Sequence, residues 1–501
     1  MERGAVLQGG IVTDELTPET PDEDEQPIKQ RKNGLYPGVS DELAASMKTG
    51  WADTELRDLE PIEQAPNAAR RREALSRRFP GERLVIPAGN LKTRSNDTEY
   101  DFRAATEYVH LTGDQTEDSV LVLEPRENGE GHDATLYRLP RSNRENGEFW
   151  LDGMGELWVG RRNSLAEAAA LLGVDCADVR ELAGMLREAT GPVRVVRGHD
   201  AGIEAALADK VTAERDEELR VYLSEARLIK DEFEIGELQK AVDSTVRGFE
   251  DVVKVLDKAE ATSERYIEGT FFLRARVEGN DVGYGSICAA GPHATTLHWV
   301  RNNGRVRSGD LLLLDAGVET NTLYTADVTR TLPINGTYTD LQRKIYDAVY
   351  EAQEAGIAAV KPGAAFRDFH DAAQRVLAEK LVEWGLVEGP VDRVLELGLQ
   401  RRWTLHGTGH MLGLDVHDCA VARTETYVNG TLEAGMVLTV EPGLYFQADD
   451  LTVPEEYRGI GVRIEDDILV TEDGNRNLSA ALPRRSDEVE AWMARLTAQR
   501  A

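Results

Sequence analysis

Leu311-Leu312-Leu313-Leu314-Asp315-Ala316-Gly317 is a continuous apolar run that ends in a carboxylate and a glycine. Such a run, bounded by a turn residue, reads as a buried strand. Burying the Asp315 charge alone is expensive, so the strand needs something to compensate it. Further on, Tyr324-Thr325-Ala326-Asp327-Val328-Thr329-Arg330-Thr331 is β-prone and is expected to return antiparallel, setting Asp315 and Asp327 across a hairpin. A competing reading makes Asp315 a turn opener before Gly317 and pairs Asp327 with Arg330. This pair of segments alone does not separate the two.

Three more segments bear on the choice. His406-Gly407-Thr408-Gly409-His410-Met411-Leu412-Gly413-Leu414-Asp415-Val416-His417-Asp418 holds three of the nine histidines of the chain. Imidazole can ligate metals and move protons near neutral pH, and glycines let the backbone approach a site closely. In Val437-Leu438-Thr439-Val440-Glu441-Pro442-Gly443, alternation puts Thr439 and Glu441 on one face and Pro442-Gly443 ends the strand. In Gly461-Val462-Arg463-Ile464-Glu465-Asp466-Asp467, Arg463 and Glu465 share a face and Asp466 points away. Taken singly, Glu441 also reads as a surface carboxylate before a turn, and Glu465 as an exposed strand end. Together, Asp315, Asp327, His410, Glu441 and Glu465 form an oxygen-rich set whose four carboxylates can neutralise two divalent cations. Without metal the same set carries like-charge repulsion and raised pKa values. Hard oxygen ligands with one imidazole and no thiolate point to Mn²⁺, admit Co²⁺, Zn²⁺ or Fe²⁺, and exclude an Fe–S cluster.

At 501 residues the chain is expected to hold two domains and a tail. Residues 1–60 are rich in acid and proline and poor in apolar anchors, which predicts an acidic, mostly flexible extension. Between 61 and 225, Leu84-Val85-Ile86-Pro87 and Val120-Leu121-Val122-Leu123 read as buried strands, alternating with helical stretches such as 164–172. That pattern is α/β. From about Arg227 the spacing of Phe233, Leu238, Val242, Val246, Phe249 and Val253 predicts a long helix. Two more helices are expected, one carrying Leu341, Ile345 and Val349 and ending near Lys361-Pro362-Gly363, the other carrying Phe369, Val376, Leu377 and Leu381, and strands over 311–316, 326–332, 437–441 and 461–470. This half is mixed α+β. The formal charge of −32 disfavours nucleic acid as a partner. No stretch has the length and apolarity of a membrane span, and Met1 to Gly10 lacks a signal-peptide pattern, which makes the cytoplasm the expected location. Cys176, Cys288 and Cys419 are too scattered for a thiolate site and read as free thiols.

These segments resemble the creatinase, prolidase and aminopeptidase P family. The similarity is densest from Arg227 to Trp492, in 406–418 (HGTGHMLGLDVHD), 441–445 (EPGLY) and 453–477 (VPEEYRGIGVRIEDDILVTEDGNRN); the last is similar to bacterial aminopeptidase P. Residues 108–113 and 118–125 resemble the family's N-terminal domain more weakly. The resemblance implies an α+β chain with a C-terminal pita-bread catalytic domain over 226–501, preceded by a smaller α/β creatinase-like domain over 61–225. It implies two metals, with Asp315 on one, His410 and Glu441 on the other, and Asp327 and Glu465 bridging. A metal-activated hydroxide would hydrolyse the bond between an N-terminal residue and a following proline, with Glu441 carrying the proton. His298, His406 and His417 would contact the peptide and the developing oxyanion. Tyr445 and Arg463 would support the ligands or face the substrate. Homo-oligomers are common in the family. Thr329 joins this set on alternation alone, two residues beyond Asp327. Packing is the competing role for His298 and Tyr445.

One departure from the family pattern is an interval between Asp315 and Asp327 that is one residue longer, placed in the turn near Glu319 to Leu323. Turns absorb insertions, whereas a shift within either strand would turn a carboxylate away. Prolidase, which takes dipeptides ending in proline, shares the ligands and is the nearest rival. Creatinase lacks the metal set, and methionine aminopeptidase lacks the large N-terminal domain. A non-catalytic peptide-binding module of the same fold is the remaining alternative, disfavoured by five filled ligand positions.

Overall fold

The computed structural model describes residues 40–498, apart from 97, 128 and 152. In it, Leu311–Ala316 is the central strand of a three-stranded antiparallel sheet, between Val328–Pro333 and Ile287–Ala290. All six of its residues are buried, because a strand apolar on both faces must be covered on both. Alternation divides it. Leu312 and Leu314 enter the main core with Phe249, Ile345 and Leu377, while Leu313 joins a smaller cluster with Ile287, Ala289 and Tyr445. Asp315 shares the parity of Leu313, so its carboxylate points to that second side.

The expected hairpin is present, with Asp315 opposite Thr329 and Ala316 opposite Val328. Asp327 lies one residue before its strand. A Cβ on Gly317 would stand 1.7 Å from the Ala326 carbonyl oxygen, so only glycine permits this closeness. Between the strands, Val318–Glu319 pairs with Asp281–Val282. The chain then reverses where Leu323 donates its N–H to Thr320 O and takes a positive φ of 68°. The interval between Asp315 and Asp327 thus makes its reversal outside the two paired strands.

A second sheet corrects one expectation. Residues 461–470 are not one strand: Ile460–Arg463 pairs with Gly443–Phe446, and Asp466–Val470 pairs with Val437–Val440 and Asn475–Asn477. Pro442 has no N–H to donate and separates the two partner strands, so pairing cannot run through. At the break Glu465 bridges to Thr329 instead. The alternation survives: Arg463 and Glu465 reach one side, and Asp466 reaches the buried Arg330 on the other, at 2.7 Å. Arg330 is therefore not the partner of Asp327.

The expected helices appear as Glu232–Val253, Asp340–Ala359 and Asp368–Glu383. The first two open on capping boxes, Asp231 with Glu234 and Thr339 with Gln342, each satisfying backbone N–H groups that the first turn leaves without partners. Among the described residues no helix is long and apolar enough to cross a membrane.

The N-terminal sheet runs in the order Asp175–Asp178, His132–Arg138, Val120–Pro125, Arg83–Pro87, Val193–Val195, with parallel pairs at its edges and antiparallel pairs within. One face carries Val85, Val120 and Val122 against Leu182, Leu186 and Ile203. The other carries Leu84, Ile86, Leu121 and Leu123, and its cluster continues into Leu238, Val242 and Leu412. Packing is continuous across the boundary expected near 226. The extension expected over 1–60 lies outside the described residues as far as 39. Residues 40–59 are instead grouped with 140–168 in a small compact unit, in which the Arg144 guanidinium lies over the rings of Trp51 and Phe149.

Candidate metal centre

Both sheets deliver acidic side chains to one cavity of about 700 Å³. Asp315 comes from the first strand, Asp327 from just before its return, Glu441 from just after Val437–Val440, and Glu465 from the break. His410 sits in the glycine-rich loop. That loop is laid along the Val437–Val440 strand by Thr439 N–H to His410 O (2.9 Å) and Glu441 N–H to Thr408 O (2.8 Å). His298, His406, His417 and Arg463 line the same cavity. Tyr445 and Thr329 stand behind it, against Arg463 and Glu465. Every residue singled out in the sequence is thus brought to one place.

Donor atoms of Asp327, His410 and Glu465 all lie within 4.8 Å of one another. His410 Nε2 is 3.3 Å from Asp327 Oδ2 and 3.8 Å from Glu441 Oε1. Its Nδ1 lies 3.1 Å from the Met411 carbonyl oxygen. A carbonyl only accepts, so Nδ1 donates there and Nε2 is turned toward the carboxylates. Arg463 pairs with Asp315 and donates to Tyr445 Oη at 3.0 Å. Thr329 donates to Glu465 Oε2 at 2.6 Å.

The electrostatics follow from four buried carboxylates with few cations. Burial, with neighbouring Asp327, Glu441 and Asp315, pushes Glu465 well above the usual carboxylate range. Burial raises Glu441 to about 7 against the pull of His410 and Arg463, and raises Asp315 although Arg463 opposes it. Burial pushes the His410 ring down, but Asp327 and Glu441 outweigh it and carry the ring to about 9. His406 goes the other way, to about 4, through burial and the positive charge of Arg463. Burial and crowding therefore drive these carboxylates to take up protons, which divalent cations replace. Hard oxygens, one imidazole and excess negative charge suit such ions.

Two contributors were not singled out in the sequence. Tyr284 Oη lies 2.6 Å from Asp315 Oδ1 and 2.5 Å from Asp327 Oδ1, and its single proton serves one of them at a time. Asp467 Oδ2 accepts the Asp327 backbone N–H at 3.2 Å. The only local sign of Tyr284 is its place between Gly283 and Gly285 in a polar stretch; Asp467 looks like part of an acidic surface run.

The profile of metallopeptidase family M24 matches residues 236–472, and that of the aminopeptidase P N-terminal domain matches residues 68–195. Xaa-Pro aminopeptidase 1 of Streptomyces coelicolor is 85% identical over 479 residues, covering 96% of this chain and 97% of that protein. Aminopeptidase PepP of Pseudomonas aeruginosa superposes with a TM-score of 0.78 at 31% identity, over 88% of this chain and all of that one. Aminopeptidase P from E. coli, solved with the inhibitor Pro-Leu, gives a TM-score of 0.78 at 32% identity, over 88% of this chain and all of that one. With the pita-bread domain and the N-terminal domain both matched, and with relatives aligned over nearly their full length, the chain belongs to the aminopeptidase P family of M24 metallopeptidases, a family of metal-dependent hydrolases.

Proposed function

We propose that this chain is a Xaa-Pro aminopeptidase, hydrolysing the bond between an N-terminal residue and a proline in second position. The observation that carries the reading is the convergence of Asp315, Asp327, His410, Glu441 and Glu465 on one cavity that His298, His406 and His417 also line, within a chain 85% identical to an enzyme named for that reaction. Asp327 and Glu465 would hold both of two divalent metals, Asp315 one, and His410 with Glu441 the other; Mn²⁺ suits this donor set best. When bound, such metals polarise a carbonyl and lower the pKa of water toward neutrality.

The chain's own groups supply the rest. Glu441, on the cavity beside His410, takes the proton released by the attacking water and returns it to the departing proline nitrogen. His298 and His417 expose their rings to the cavity and donate to the carbonyl oxygen as its negative charge grows. His406 is held between the Gly407 carbonyl and Tyr445 Oη, at 2.6 and 2.8 Å. That grip and its depressed pKa keep the ring neutral and fix its orientation.

A paired assay tests the reading: metal content and hydrolysis of Xaa-Pro-Yaa against Xaa-Pro, in the wild-type protein and in Asp327→Ala. The tripeptide is cleaved in preference to the dipeptide, and Asp327→Ala loses turnover together with at least one metal. Dipeptide-only cleavage identifies a prolidase instead, and an active Asp327→Ala protein refutes the metal assignment.

A further inference from the structure

The loop that carries His298 runs from Ala290 to Gly304 without any strand after Ala290, so no sheet ladder sets its shape. Its first residues form a 3-10 turn, Gly291–Thr295, and Asn302 and Thr295 bond to Cys288 and Gln447, but one side chain outside the cavity gathers both ends of it. Glu264, the first residue of the helix Glu264–Glu278, is wholly buried. Its Oε1 accepts the Ala290 N–H at 2.9 Å and lies 2.7 Å from His293 Nδ1. Its Oε2 accepts Trp299 Nε1–H at 2.9 Å and the Gly304 N–H at 2.6 Å. The Glu264 backbone N–H returns a bond to Gly304 O at 3.0 Å. Inside the loop, the rings of His293 and Trp299 stack with centroids 3.9 Å apart and planes inclined by 21°.

One carboxylate therefore ties both ends of the loop and two rings within it to the rigid start of a helix. A Cβ on Gly304 would lie 2.3 Å from the His293 ring, so the closure leaves no slack there. Burying a carboxylate is costly unless it is fully hydrogen-bonded. Apolar packing could fill the same space, but it has no directional bonds with which to fix where a loop points. Four acceptor contacts on a planar group do. Trp299, one of the four donors, immediately follows His298.

We propose that Glu264 is a positioning residue of the reaction, holding the 290–304 loop so that His298 faces the reacting carbonyl. The proposal rests on the reading above, in which His298 contacts the substrate. A hydrogen bond that acts on charge in the transition state works only when its donor is placed within fractions of an ångström.

The test uses the metal-loaded enzyme and Glu264→Gln, which keeps the shape but turns an amide NH₂ toward groups that are themselves donors. Turnover falls by roughly 10- to 100-fold with KM little changed, as loss of a transition-state contact requires. Metal content stays at the wild-type level, and amide hydrogen exchange across 291–301 accelerates. In the background of His298→Ala, the same substitution costs nothing further. Where Glu264→Gln fails to fold, Trp299→Phe removes one donor and leaves the carboxylate; it gives a smaller loss that again vanishes on His298→Ala. Wild-type turnover in Glu264→Gln, loss of metal with the loss of activity, or full multiplication of the two defects overturns the proposal. A fully active His298→Ala enzyme refutes the underlying reading of the site, while the exchange measurement still reports whether Glu264 holds the loop.

Discussion

Thr329 and Glu465, 136 residues apart along the chain, are joined twice: the Thr329 hydroxyl donates to the Glu465 carboxylate at 2.6 Å, and the Glu465 N–H donates to the Thr329 carbonyl at 3.1 Å. The backbone bond places Glu465 and the side-chain bond aims it. Thr329→Val keeps the shape and the backbone bond but removes the one proton that the described residues aim at Oε2. A buried acceptor left unsatisfied costs about 1–3 kcal/mol, and losing the group that orients a ligand weakens metal binding by roughly 10- to 100-fold. Titration of the variant with metal in a competing chelator measures this; wild-type affinity would sink the supporting role of Thr329.

Gly409 precedes the imidazole ligand, and a Cβ there would lie 2.0 Å from the Thr439 carbonyl oxygen and 3.0 Å from the Phe369 ring. Backbone cannot yield as a flexible side chain does. Gly409→Ala is therefore expected to push the loop off the Val437–Val440 strand and carry His410 with it. Activity and metal content fall together, with Tm lowered by about 1–2 °C, as a loss of about 1–2 kcal/mol implies in a chain of this length. An active, fully metallated Gly409→Ala protein would refute this packing argument.

Removal of metal leaves Asp315, Asp327, Glu441 and Glu465 confronting one another with Arg463 and His410 as nearby cations. Chelation is expected to abolish hydrolysis and lower Tm, and added Mn²⁺ restores both. By mass action each site contributes about 2.7 kcal/mol when free metal exceeds its Kd a hundredfold. Calorimetry of chelated protein across a metal titration measures the rise; a Tm indifferent to metal contradicts a metal site at this position.

Away from the cavity, Glu278 joins two helices. Burial opposes its charge, but hydrogen bonds from Arg247, Ser244 and Arg274 overcome that and bring it down to about 2. A carboxylate depressed on folding stabilises the protein above its unfolded pKa, and that stability is lost as pH falls through the folded value. Its contribution is full above about pH 4.5 and gone near pH 2. Arg247 is nearly half exposed, so solvent screening limits it to about 1 kcal/mol. Glu278→Gln is expected to lower stability at pH 7 by that amount and to converge with wild type toward pH 2, as denaturant titrations at several pH values report. A difference independent of pH removes the electrostatic explanation.

How far the candidate site was legible depends on whether each residue carried a local signal. Asp315 did, because a charge at the end of a run buried on both faces has to be compensated. Arg463 and Glu465 did, because a period of two assigns them one side, and that assignment holds across a break the pattern did not reveal. The break itself was illegible: no glycine or proline interrupts Val462 to Val470, and the change of partner at Ile464 and Glu465 arises from Pro442, some twenty residues earlier. Asp467 and Glu264 had no local signal either, and Tyr284 only its flanking glycines, since a buried polar side chain announces itself mainly through partners that folding brings near.

The sequence by itself determined the ligands of the proposed metal centre, the strands and loop that carry them, and the helices behind the sheet, because strand parity, apolar run length and capping residues act over a few neighbours. Only the tertiary structure decided which oxygen faces which nitrogen, that one tyrosine hydroxyl stands between Asp315 and Asp327, and that the His298 loop is held from behind by Glu264. Those relations depend on distances between segments tens to hundreds of residues apart, which register, packing and the desolvation of buried charge set together.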